Sequence, residues 1–166
     1  MFQRATVFFC LSLVLVSAGF AQKASPEGEL RAIYKKLDVA LRARDAAKVT
    51  QYYDASYTLE SDGKTMDRAE AVDQWRSILG YIRSVAKLIT TIDKITIKDG
   101  AYVVDYSQSS SGKIQFPQSP VLPFTFTGKI TDTWRRDKNG LWHTMSSVEH
   151  VSDLKVNGES SKPPGT

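Results

Sequence analysis

Apolar residues recur along this chain with two periods, and the change from one to the other divides it. In residues 29–41 the apolar positions are Leu30, Ile33, Tyr34, Leu37 and Leu41, three or four apart, with Lys35, Lys36, Arg42 and Arg44 on the other side. That spacing predicts an amphipathic helix laid on a core, with Pro26 permitting its start. Asp45 suits the cap of a second, short helix over residues 46–53. Residues 55–60 alternate, with Tyr57 and Leu59 on one face and Thr58 and Glu60 on the other, which predicts a strand. Ser61-Asp62-Gly63-Lys64 is turn chemistry. Asp67 and Glu70 then form a capping-box pair ahead of a third helix. Its buried side is marked by Val72, Trp75, Ile78, Leu79 and Ile82, and Gly80 weakens its end.

Beyond Lys87 the period becomes two. Residues 89–98 and 101–108 read as strands joined at Asp99-Gly100. Residues 109–123 hold Pro117, Pro120 and Pro123 among serines and read as a long loop, one able to fold over a cavity mouth. Residues 124–136 and 141–151 form a last pair around the turn Asp137-Lys138-Asn139-Gly140. No internal repeat is visible. The predicted fold class is α+β, three N-terminal helices packed on a strongly curved antiparallel sheet in the order α-α-β-α-β-β-β-β.

A length of 166 residues suggests one domain. The first 21 residues stand apart: Arg4, an apolar run over 7–16, then Ser17-Ala18-Gly19-Phe20-Ala21. This is the three-part pattern of a secretory signal, with cleavage near Ala21. The divisions are then a signal peptide at 1–21, a polar lead-in at 22–28, a domain at 29–152 and a disordered tail at 153–166. The expected location is outside the cytoplasm, secreted or periplasmic, with no membrane attachment after cleavage. Cys10, the sole cysteine, lies inside the apolar run. Cleavage would leave no thiolate, disulfide or cysteine metal site. Two distant histidines, His143 and His150, make no metal site, and no glycine loop suits a phosphate. Basic residues are scattered, so no nucleic-acid partner is expected. No cofactor is implied.

Several features taken together carry a resemblance. They are the long first helix, the segment RDAAKVTQYYDASYTLESDGKTMDRAEAVDQW, the Asp99-Gly100 hairpin and the closing hairpin with Trp134, Gly140-Leu141-Trp142 and His143. In order and spacing this resembles the SnoaL-like branch of the nuclear-transport-factor-2-like superfamily, the cone fold shared with ketosteroid isomerases. The resemblance spans residues 29–152. It implies a bowl whose concave sheet and three helices enclose a pocket, often in a homodimer. The isomerases' oxyanion tyrosine falls near Leu37 and their base aspartate near Leu59, so ketosteroid-type isomerisation is not expected.

The closing hairpin assigns faces. With Gly140 at a bulge position, Asp137 pairs with Leu141, Trp134 opposes Thr144, Asp132 opposes Ser146 and Ile130 opposes Val148. Trp134, Trp142, Asp132, Ser146 and His150 then share the aromatic, concave face, while Lys129 pairs with Glu149 and His143 points outward. A carboxylate among Trp and Phe either binds something or has its pKa raised for proton transfer; a structural Asp satisfied by Ser146 is the plainer alternative. The ligand-binding candidates are Tyr34, Tyr57, Trp75, Asp132, Trp134, Ser146 and His150, and core packing also accounts for the aromatic ones. The favoured function is binding of a small apolar or amphipathic molecule in the concave pocket. The alternatives are a cofactor-independent isomerase, dehydratase or hydrolase using Asp132 and His150 as acid and base, or a non-catalytic dimeric scaffold.

Overall fold

A computed structural model describes residues 24–161. The expected signal sequence and its cleavage site lie outside the described residues. Helix α1 (Pro26–Ala43) begins where the Ser25 side chain caps it by accepting from the Gly28 amide, with Pro26 at the first position. It ends at Arg44, which takes a left-handed conformation. Asp45 caps the four-residue α2 (Ala46–Val49). Strands β1 (Tyr53–Ser61) and β2 (Lys64–Asp67) flank a tight turn in which Asp62 and Gly63 both have positive φ. Asp67 and Glu70 form the predicted capping box of α3 (Arg68–Tyr81).

Strands β3 (Ile82–Lys98), β4 (Ala101–Ile114), β5 (Leu122–Arg136) and β6 (Trp142–Val156) are long, and a short β7 (Glu159–Ser161) folds back on β6. The sheet order is β2-β1-β6-β5-β4-β3. Three helices on a curved sheet is the expected architecture. The sheet is mixed, however, and not wholly antiparallel, because β1 runs parallel to β6. Parallel neighbours need a long crossover, and here α3 and the meander supply it.

Two expectations about loops give way. Only residues 115–121 form the loop between β4 and β5, because serines 109–111 pair with both neighbouring strands. That loop is pinned beside α3: the Gln115 amide donates to the Tyr81 carbonyl, and Phe116 packs edge-on against Tyr81 at 5.5 Å. It does not line the cavity between the helices and the concave sheet, so it is no lid for it. The polar stretch from 153 continues β6 and forms β7, because Asn157 and Gly158 both take the positive φ of a hairpin turn.

The sheet bends through bulges, three between β3 and β4 and two between β5 and β6. Gly112 is required at one bend: a Cβ there would lie 1.9 Å from the Ser84 carbonyl oxygen. The main core joins Leu30, Ile33 and Tyr34 of α1 to Val104, Trp134 and Trp142 of the sheet. Glu29 ties the helix down, accepting from the Trp142 indole at 2.9 Å and pairing with Arg136, whose guanidinium stacks over the Trp142 ring. These contacts fix the start of α1, and about one turn later Tyr34 meets Asp132.

Candidate functional site

Between α1, α3 and the concave sheet lies a cavity of about 240 Å³. Helix α1 offers Tyr34, Leu37, Asp38 and Leu41, the spacing of one helix face. Three strands contribute alternate residues: Tyr57, Leu59 and Ser61 from β1, Tyr106, Gln108 and Ser110 from β4, Ile130, Asp132 and Trp134 from β5. Most of the wall is apolar, with Ile78, Leu79, Leu88, Phe124 and Phe126 among its residues.

Asp132 is the polar centre. It is 5% exposed. Its Oδ2 accepts from the Tyr34 hydroxyl and its Oδ1 from the Ser147 hydroxyl, each at 2.6 Å. The Trp134 indole N–H donates in turn to the Tyr34 oxygen at 3.1 Å. Burial pushes the Asp132 carboxyl up to about 6, although hydrogen bonds from Ser147, Tyr34, Tyr106 and Trp134 favour its charged form. Tyr53 and Tyr57 stack beside this centre with ring centroids 3.7 Å apart, and the Trp75 indole donates to the Tyr53 oxygen at 2.8 Å. Burial raises all four phenols, Tyr53 to about 12, and Asp132 adds to the rise at each. At neutral pH they therefore keep their protons, and Tyr34 and Tyr106 donate to the carboxylate.

Three further carboxylates line the cavity. Asp38 accepts from the Thr90 hydroxyl at 2.6 Å, and Gln108 donates to Thr90 at 3.2 Å. Glu149 accepts a short hydrogen bond from the Ser61 hydroxyl. Asp62, on the turn after β1, also reaches the wall.

Tyr34, Tyr57, Trp75, Asp132 and Trp134 all line the cavity as the hairpin and helix patterns predict; Ser146 and His150 do not. The turn itself matches: Asp137 and Leu141 are hydrogen-bonded across it, Gly140 has positive φ, and Trp134 opposes Thr144. A bulge then follows. Thr133 pairs with Ser146 and Asp132 with Ser147, so Met145 is the extra residue and the inward positions of β6 change parity. A second bulge, where Ile130 pairs with Glu149 and Lys129 with Val151, restores it. Between the bulges Ser147 and Glu149 face inward in place of Ser146, Val148 and His150. Glu149 is consequently no partner of Lys129. His150 is exposed and sits 2.8 Å from the Thr131 hydroxyl, outside the cavity. The acid–base pairing of Asp132 with His150 is therefore overturned by this register. His143 is half-buried next to Asp137 at 3.3 Å. Among the described residues no cluster has the makings of a metal site.

Ser147, Glu149, Tyr53, Tyr106 and Asp38 escaped the sequence reading. Asp38 was within reach of it, lying four residues after Tyr34 on one helix face. Tyr106 shares the alternation of Val104 on β4. Ser147 and Glu149 depend on the bulges, for which the residues of β6 carry no distinctive signal.

No protein-family model and no curated protein matches this sequence. Solved structures do match its fold. An NTF2-like protein from Cytophaga hutchinsonii aligns with 15% identity over 76% of this chain and 98% of its own, at a TM-score of 0.59. A ketosteroid isomerase-like protein from Erwinia carotovora atroseptica aligns with 14% identity over 73% and 93%, at 0.54. A type 2 hexachlorocyclohexane dehydrochlorinase aligns with 12% identity over 82% and 93%, at 0.60. The chain thus has the nuclear-transport-factor-2-like cone fold, as its sequence pattern implied. Leu37 and Leu59, placed near the isomerases' tyrosine and base, both contribute apolar surface to the cavity.

Proposed function

We propose that this protein binds a small, largely apolar molecule in the cone, with one polar group of that molecule set against Asp132. The observation that carries this reading is a cavity of about 240 Å³ with aromatic and aliphatic walls converging on one buried, hydroxyl-bonded carboxylate. Both carboxylate oxygens already accept hydrogen bonds, which favours holding a ligand over removing its proton. The leader-like segment at 1–21 supports binding outside the cytoplasm. N-terminal sequencing of the exported protein should start at Gln22; retention of Met1 on exported protein would contradict it.

Calorimetric titration with 4-butylbenzyl alcohol tests the binding reading. Saturable binding is expected, and filling the cavity with Ile78→Trp or Leu59→Trp should remove it. Binding that survives both filled variants would place the ligand elsewhere and overturn the reading.

A second reading, proton transfer on a bound molecule, is favoured by one observation: a carboxyl at about 6 inside an apolar cavity is basic at neutral pH. One structural neighbour is named for a reaction, the hexachlorocyclohexane dehydrochlorinase; here the reading rests on Asp132 without His150. A ligand recovered by native extraction and incubated with protein in deuterated water decides between the two. Deuterium appearing at carbon, and lost with Asp132→Asn, would favour catalysis; none would favour binding alone.

A further inference from the structure

We propose that the molecule taken by this cavity is a protonated amine, an apolar or aromatic body carrying one cationic nitrogen. The proposal rests on the binding reading and adds the charge of what is bound. Asp38, Asp62, Asp132 and Glu149 line the cavity, and among the described residues no Lys, Arg or His does. The whole chain carries the opposite balance, with 22 Lys and Arg against 18 Asp and Glu. The wall is acidic in a basic protein.

No ion pair of the described residues neutralises that charge; Arg42, four residues after Asp38, donates instead to the Leu88 carbonyl. The ion pairs of the described residues join Lys48 to Asp45, Arg76 to Asp73, Arg136 to Glu29, His143 to Asp137 and Lys155 to Asp153. None includes a carboxylate of the wall. Tyr34 and Ser147 serve Asp132, Thr90 serves Asp38 and Ser61 serves Glu149, all through hydroxyls. A hydroxyl satisfies an oxygen lone pair and brings no net positive charge, so the cavity keeps a negative potential focused by its apolar walls.

The aromatic residues favour the same sign. Tyr34, Tyr53, Tyr57, Tyr106, Trp75 and Trp134 are all part of the wall. The faces of such rings are negative and hold a cation within about 6 Å of their centres. A neutral head group would gain hydrogen bonds only. An anionic one would meet carboxylates with no compensating cation, which is costly in an apolar enclosure.

The test compares three matched probes on the purified full chain by calorimetry at neutral pH: 4-butylbenzylamine, 4-butylbenzyl alcohol and 4-butylbenzoate. The amine should bind about tenfold more tightly than the alcohol, and the benzoate most weakly. Asp132→Asn and Glu149→Gln should each weaken the amine more than the alcohol, lowering the ratio of the two affinities several-fold. An alcohol that binds as tightly as the amine, or a benzoate that binds more tightly than either, overturns the inference and leaves the binding reading standing. If none of the three binds, the binding reading falls and this inference with it. Should Asp132→Asn fail to fold, the wild-type series and Glu149→Gln still decide.

Discussion

The two faces of the sheet around β5 carry the same bond in opposite settings. Inside, Asp132 accepts from Ser147 at 2.6 Å, among tyrosines and tryptophans. Outside, Asp105 accepts from Thr131 at 2.6 Å, and Thr131 also contacts the exposed His150. The hydrogen-bond lengths cannot tell these sites apart; burial does. Desolvation turns the inner carboxyl into a group that titrates near neutrality, at about 6. A carboxylate with a hydroxyl partner is thus a structural detail on the convex side and the polar centre of a cavity on the concave side.

The contrast breaks first at Trp134, which is 1% exposed. Trp134→Ala should cost about 3–5 kcal/mol in urea unfolding, against less than about 1 kcal/mol for Thr131→Ala outside. Equal losses would mean that the inner face is no better packed than the outer.

The next effect is a pH dependence. The folded Asp132 lies at about 6 against an ordinary 3.8, so between these values the folded state holds more protons than the unfolded one. Its contribution to stability is therefore greatest below 3.8 and is lost as pH rises through 6, by roughly 3 kcal/mol in all. Asp132→Asn should remove this slope, so that its stability relative to wild type improves from pH 4 to pH 7. Parallel stability curves for the two proteins would contradict the buried, raised carboxyl.

Tyr34→Phe takes a donor from that carboxylate and should cost about 1–3 kcal/mol at pH 7 by thermal or urea unfolding. Its cost should shrink at pH 4, where Asp132 is neutral. The smallest expected effect is at His150: His150→Ala should change stability by less than about 0.5 kcal/mol and leave 4-butylbenzyl alcohol binding as it was. A large loss of binding there would return His150 to the site.

Periodicity made the helices, the curved sheet and most of the aromatic wall legible in the sequence. Burial against a single core forces side chains onto one face, and Tyr34, Trp75 and Trp134 show it. The capping box at Asp67 and the Gly140 turn were legible because local chemistry dictates them. The inner face of β6 was not. Its assignment depends on an alternation that one extra residue reverses, and Met145 sits among small polar neighbours that suit either face. β2 and β7 were missed because strands of four and three residues are too short to show a period. The parallel β1–β6 pairing joins segments some ninety residues apart, which no local pattern records.

Gly112 is absent from the cavity wall. A side chain there would push against the Ser84 carbonyl and the Phe124 ring, prising β3 from its neighbour beside Ile114, Phe124 and Ile82, which do line the wall. The bore of the cone is therefore gauged from behind. A substitution there would disturb the width of the cavity without changing any residue of its wall.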